Sequence, residues 1–98
     1  MTNRHGTHLE ALAAELEREL MHRYGSPLLT GKKLSEAMGY PSIHALRKHM
    51  SQSTFPVALF TIQGRRGRYV LVKDIAFWLA KQRIEHQCHV EEERPNER

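Results

Sequence analysis

The sequence predicts one mainly helical α+β domain, in which four helices accompany a two-stranded antiparallel β-hairpin. Three observations point to this fold. Two short segments with apolar residues at helical spacing follow one another across a glycine-containing turn, which is the outline of a helix-turn-helix. Two short apolar runs, residues 57–62 and 69–72, flank a bend rich in glycine and arginine. The length of 98 residues suits a single domain with one modest core.

The first predicted helix spans residues 8–24 and follows a disordered N-terminus, residues 1–7. Four leucines lie on one face of this helix at helical spacing: Leu9, Leu12, Leu16 and Leu20. A helix of this length is marginal alone in water, so the leucine face must pack against another surface. Two alternatives are open: the helix folds onto the C-terminal helix, or it pairs with a second copy in a homodimer.

The second and third predicted helices each have an N-cap and an apolar stripe. Thr30 is a suitable N-cap for a helix that ends at Gly39, and Ser42 is suitable for a helix over residues 42–52. The inward-facing residues are Leu34, Ala37 and Met38 in the second helix and Ile43, Leu46 and Met50 in the third. These stripes predict that both helices pack on one core.

A polar face lies beside the apolar stripe of the third helix. Four side chains fall within about 100° of arc: His44, Arg47, Lys48 and Ser51. A helix that reads the major groove of DNA needs this arrangement, because one face anchors the helix while donors project together towards base edges. The alternative interpretation is an ordinary solvated helix face.

The bend between the two predicted strands, residues 64–68, contains three arginines: Arg65, Arg66 and Arg68. Guanidinium groups are permanently charged and fit phosphate oxygens, and the flanking glycines permit a tight turn. The bend therefore predicts a basic hairpin tip that meets a polyanion.

The last predicted helix begins after Asp74 as its cap and runs to His86, ahead of an acidic flexible tail, residues 87–98. Besides its core residues, this helix has a second apolar stripe formed by Phe77, Ala80 and Ile84. One small sheet does not need so wide an apolar surface. We expect the N-terminal helix or a second subunit to cover it.

The net charge of +4 hides an uneven distribution. Residues 25–84 contain ten lysines and arginines against Glu36 and Asp74, whereas both ends of the chain are mildly acidic. Positive charge concentrated in the folded middle predicts a polyanionic partner, and we expect double-stranded DNA.

Several classes of function are not expected. The sequence has no P-loop, no paired carboxylates in the folded part and no serine–histidine–acid arrangement, so we expect no enzyme, no cofactor and no metal ion. Cys88 is the only cysteine and cannot form an intramolecular disulfide. No apolar run is long enough for a membrane span and no signal-peptide core follows Met1, so we expect a cytoplasmic protein.

Residues 28–79 resemble the MerR-like winged helix-turn-helix domains of excisionases and AlpA-type phage regulators. The matching segments, in order, are Leu29-Thr30, Leu34 to Met38, Gly39, Leu46 and Met50, Phe55-Pro56, Gly64 to Arg68, and Asp74-Ile75 with Trp78-Leu79. Two features depart from the family: His49 replaces an aromatic residue near the end of the third helix, and Pro41 lengthens the turn after Gly39. The N-terminal helix and the acidic tail lie outside the resemblance.

The resemblance implies that the third helix enters the major groove as a recognition helix. It also implies that the hairpin is a wing whose tip reaches phosphates or an adjacent minor groove. The DNA contacts it implies are Thr30, Lys32, Lys33, Ser42, His44, Arg47, Lys48, Ser51, Arg65, Arg66 and Arg68.

The function expected from the sequence is therefore that of a sequence-specific, double-stranded DNA-binding transcriptional regulator, such as a repressor, from a bacterium or its mobile genetic elements. We expect a homodimer formed through the leucines of the first helix, through Phe77 and Ile84, or through both. No small-molecule effector is expected, since no effector domain is visible. An excisionase-like architectural recombination factor and a protein-interaction adaptor are the alternatives.

Overall fold

The computed structural model describes the backbone of residues 4–93 and the side chains of residues 8–86. Its elements follow in the order α1 (Arg4–Tyr24), β1 (Leu28–Leu29), α2 (Gly31–Met38), α3 (Ile43–Ser51), β2 (Val70–Leu71) and α4 (Val72–Glu93). Within this part of the chain, four helices and one two-stranded antiparallel sheet confirm the predicted mainly helical α+β class.

The outer ends of α1 and α4 differ from the predicted boundaries. α1 begins at Arg4, before the predicted start at residue 8, and α4 continues to Glu93, beyond the predicted end at residue 86. The predicted disordered start and flexible tail also include residues 1–3 and 94–98, which lie outside the described residues.

The sheet pairs different segments from those predicted. β2 pairs antiparallel with β1, with Leu29 opposite Val70. The predicted first strand, residues 57–62, contributes a single bridge, from Phe60 to Tyr69. Its pairing with residues 69–72 is therefore wrong beyond this one residue pair.

The pairing differs from the prediction because the segment that contains β2 is hydrogen-bonded on both of its edges. Successive residues of a strand direct their backbone groups to opposite edges. Tyr69 exchanges two hydrogen bonds with Phe60 on one edge, and the Val72 amide donates to the Pro27 carbonyl on the other at 2.8 Å. The short run before α2 thus forms the regular pairing. Residues 57–62 contribute side-chain packing from Val57 and Leu59 to the core.

One core lies between the sheet, α2, α3 and the start of α4. Its buried apolar members are Leu29, Leu34, Met38, Leu46, Val70, Val72 and Ile75. Leu34, Met38 and Leu46 confirm the inward faces predicted for the second and third helices.

The predicted cap of the last helix, Asp74, lies instead in the first turn of α4. A carboxylate there still interacts favourably with the helix dipole.

α1 packs along α4 of the same chain, and this is the most extensive contact between two elements of the described residues. The helices run antiparallel, since Leu12 shares a cleft with Ile84 whereas Leu16 and Leu20 share one with Leu79. All four predicted leucines of α1 are only half-buried. Phe77 stays 45% exposed, so α1 covers part of the second apolar stripe of α4 and leaves its edge open.

Candidate nucleic-acid interface

The corner between α2 and α3 is fixed by hydrogen bonds. Gly39 follows the last residue of α2 as its C-cap, and its φ of +84° favours glycine. The Gly39 amide donates to the Glu36 carbonyl at 3.1 Å, and the Tyr40 amide donates to the Ser35 carbonyl at 3.0 Å. The Ser35 hydroxyl, on a side chain only 3% exposed, donates across the corner to the Ser42 carbonyl at 2.9 Å. The direction of α3 relative to α2 is therefore determined by backbone and side-chain contacts together.

Both ends of α3 are capped. The Ser42 hydroxyl oxygen accepts a hydrogen bond from the Ala45 amide at 3.1 Å, which confirms the predicted N-cap. At the other end, Ser53 adopts a φ of +58° and the Thr54 amide donates to the His49 carbonyl at 3.0 Å. This is a Schellman-type ending in which serine occupies the left-handed position that glycine usually takes. α3 is thus a short helix with defined limits.

An aromatic contact connects the helix-helix turn to the end of α3. The rings of Tyr40 and His49 are stacked, with centroids 4.9 Å apart and planes inclined by 13°. His49 Nδ1 lies 2.9 Å from the Thr54 hydroxyl, and Tyr40 also lies beside Phe55 at 6.2 Å. Burial raises the pKa of the Tyr40 phenol. His49 therefore packs against the helix-helix turn through its ring.

The outer face of α3 carries the predicted polar side chains. Leu46 is 2% exposed and faces the core, whereas four side chains on the opposite side are exposed: His44, Arg47, Lys48 and Ser51. The Ser51 hydroxyl donates to the Lys48 carbonyl at 3.1 Å, so its hydrogen is already used within the helix. Among the described residues, no hydrogen bond uses the guanidinium of Arg47. This group projects from α3 and is available to a ligand.

The segment predicted to be a wing, and called the wing below, is a loop, residues 61–68, closed by the Phe60–Tyr69 pair. The two hydrogen bonds of this pair measure 3.0 and 2.7 Å. Within the loop, the Arg65 amide donates to the Ile62 carbonyl at 3.0 Å, and Gly64 at the third position of this turn has a φ of +81°. That geometry is typical of a type II turn, which favours glycine. All three wing arginines are exposed, as predicted.

Thr30 differs from its predicted role as a side-chain cap. It occupies the N-cap position of α2, but its side chain makes no capping hydrogen bond. Its hydroxyl donates instead to the Arg68 carbonyl, 38 residues away, at 2.7 Å. The next residue, Gly31, has a φ of +59°, so the backbone turns sharply between Thr30 and the first lysine of α2. Thr30 therefore joins the start of α2 to the base of the wing.

The predicted site residues form two exposed cationic segments on one core. Thr30 brings the α2 start, with the exposed Lys32 and Lys33, together with Arg68 of the wing. The outer face of α3 forms the second segment. Within the described residues, no hydrogen bond joins its side chains to the wing. The acidic residues between positions 25 and 84 are Glu36 and Asp74, so both segments lie in a strongly positive region.

Sequence reasoning missed Ser35, assigned no packing role to His49, and left open whether Tyr40 supports the helix-helix turn or touches a phosphate. The position of Ser35 one residue after Leu34 in an amphipathic helix is a weak signal for burial. Tyr40 and His49 lie on different elements, and their stacking depends on the angle between α2 and α3. No local pattern in the sequence reports that angle.

Two features, a membrane-spanning helix and a cluster of metal-binding side chains, are absent from the described residues. No helix there is long and apolar enough to cross a membrane. No group of three or more histidine, cysteine, aspartate or glutamate side chains is arranged to hold a metal ion in this part of the chain. Comparisons with protein-family models, curated proteins and solved structures find no match.

Proposed function

We propose that this protein binds double-stranded DNA sequence-specifically and regulates transcription, as a winged helix-turn-helix of the MerR-like kind. α3 lies in the major groove as the recognition helix. The wing tip contacts phosphates or the adjacent minor groove.

The observation that carries the proposal is the two-sidedness of α3. Its inner side is anchored by the buried Leu46, both of its ends are capped, and its outer side exposes Arg47 and Lys48. A helix whose inner side is packed on the core can place its exposed side in a groove of DNA without losing that packing. An arginine on such a face can bind guanine through two parallel hydrogen bonds.

The wing and the start of α2 supply the contacts that do not depend on base sequence. Arg65, Arg66 and Arg68 are exposed on a loop that two glycines allow to turn tightly. Lys32 and Lys33 lie in the first turn of α2, where backbone amides and the helix dipole also favour an anion. Phosphate contacts of this kind fix the position of a protein on the duplex.

The working unit is a homodimer formed through α1 and α4. Half-buried apolar side chains line the clefts between these helices: Leu12, Leu16, Leu20, Leu79 and Ile84. Glu15 lies on the α1 side and Arg83 on the α4 side. A two-fold axis parallel to the helices places α1 of one copy opposite α4 of the other, so that these opposite charges face each other. A dimer also doubles the number of base pairs contacted.

Light scattering tests the dimer. We expect the mass of two chains at tens of micromolar without DNA. Glu15→Arg should weaken the dimer, and the charge-swapped double variant Glu15→Arg with Arg83→Glu should restore it. A monomer at these concentrations contradicts the dimer but leaves DNA binding by a single copy intact.

Selection of bound duplexes from a random library, followed by mobility shifts, tests DNA binding itself. We expect enrichment of a defined sequence and an affinity that falls steeply as salt rises. Arg47→Ala should reduce the preference for the best base at one position by about 1–3 kcal/mol. Lys73→Ala is the control of equal charge, because Lys73 is exposed in the first turn of α4 and belongs neither to the proposed DNA contacts nor to the clefts between α1 and α4. No enrichment together with salt-insensitive binding refutes the proposal.

A further inference from the structure

We infer that Thr30 is a positioning residue for DNA binding: its hydroxyl holds the base of the wing against the start of α2 and so determines where the wing arginines meet the duplex. The inference rests on the proposed function and deepens it. It assigns Thr30 a role within the protein instead of a direct contact to phosphate.

The contact is short and connects distant parts of the chain. Thr30 Oγ1 donates to the Arg68 carbonyl at 2.7 Å, although the side chain is exposed. A hydroxyl has one hydrogen, and here the Arg68 carbonyl accepts it, so Thr30 does not donate it to a ligand. Gly67, the neighbour of Arg68, lies against the same hydroxyl, since a Cβ built on it would be 3.8 Å from Thr30 Oγ1.

The rest of the wing has few other restraints. Among the described residues, loop 61–68 has one internal backbone hydrogen bond, from the Arg65 amide to the Ile62 carbonyl. The Phe60–Tyr69 pair closes its base. The Arg68 carbonyl is therefore the point at which the C-terminal half of the loop is attached to the helix-turn-helix.

A preordered wing binds more tightly than a mobile one, because ordering a loop at the moment of binding has an entropic cost. Without the Thr30 hydroxyl, the C-terminal half of the wing loses one restraint, and more of its ordering takes place on the DNA. One hydrogen bond of this kind corresponds to about a two- to tenfold change in affinity. The reduction should be similar for all sequences, since the wing meets mainly phosphates.

The experiment compares the wild type with Thr30→Val, which has nearly the same shape without the hydroxyl, and Thr30→Ser, which keeps the hydroxyl. Amide hydrogen exchange of the free proteins is the first measurement. We expect faster exchange over residues 61–69 in Thr30→Val and near wild-type exchange in Thr30→Ser. Thermal unfolding of both variants controls for a general loss of stability. A direct phosphate contact would leave the exchange of the free protein unchanged, and that result overturns the inference.

The second measurement is affinity for the selected duplex, with and without the wing arginines. Thr30→Val should weaken binding by about two- to tenfold. The effect should vanish when Arg65, Arg66 and Arg68 are all alanine, because no charged group is then left to position. An equal reduction in both backgrounds overturns the inference, as does binding by Thr30→Val at wild-type affinity. A wild type that binds no duplex overturns the proposed function instead, and the positioning of DNA contacts fails with it.

Discussion

Replacing both Arg65 and Arg66 by alanine should flatten the salt dependence of DNA binding. Each phosphate that a cationic side chain neutralises adds about 0.9 to the slope of log K against log salt. Removing two such arginines from one engaged wing reduces the slope by about 1.8, which over a fourfold change of salt equals about a tenfold difference in affinity. In a dimer with two engaged wings, the difference rises to about a hundredfold over the same range.

Fluorescence anisotropy of a labelled duplex at salt concentrations between about 50 and 200 mM measures this slope directly. Lys73→Ala is again the control of equal charge and should keep the wild-type slope. Both wing side chains are exposed, so the melting temperature of the double variant should equal that of the wild type. An unchanged slope in a folded variant would refute the assignment of the wing to phosphate, even if the affinity fell.

The remaining predictions concern how α3 is held, and chemical denaturation measures all of them. Ser53→Gly should raise the free energy of unfolding by about 0.5–1 kcal/mol, because the left-handed φ of +58° favours glycine; a decrease would contradict this account of the helix ending. Ser35→Ala should lower it by about 1 kcal/mol because the bond across the corner is removed, and an unchanged value would mean that this bond contributes nothing. His49→Ala should cost about 0.5–1.5 kcal/mol, whereas His49→Phe should keep the stacking on Tyr40; equal decreases would exclude a packing role. Leu46→Ala should cost about 2–5 kcal/mol, since the side chain is 2% exposed.

The helical part of the fold was readable from the sequence because its signals are local. The cap at Ser42, the ending at Gly39 and the stripe through Leu46 each depend on residues within one or two turns. The same local signals separate the anchored side of α3 from its exposed side. The candidate recognition face could therefore be identified without a structure.

The sheet could not be predicted in the same way, because its pairing joins segments more than forty positions apart in the sequence. Residues 57–62 have suitable β-forming side chains, and nothing local shows that β1 forms the regular pairing instead. β1 has two residues, too few for a strand pattern. The same distant pairing brings the wing to the start of α2. The Thr30 hydroxyl therefore bonds to the wing instead of capping the helix.

The absence of any residue between β2 and α4 has a mechanical consequence for the proposed DNA-binding dimer. Val72 is the first residue of α4 and its amide also donates to the Pro27 carbonyl beside the sheet, so strand and helix meet without a linker at a hydrogen-bonded point. In a dimer joined through α4, a rotation of one wing is passed to the other without a flexible linker to absorb it. The separation of the two half-sites is then set by helix geometry. Inserting one residue before Val72 would turn α4 by about 100° relative to the sheet, so the buried Val72 and Ile75 could not keep their places in the core while the two recognition helices keep their separation.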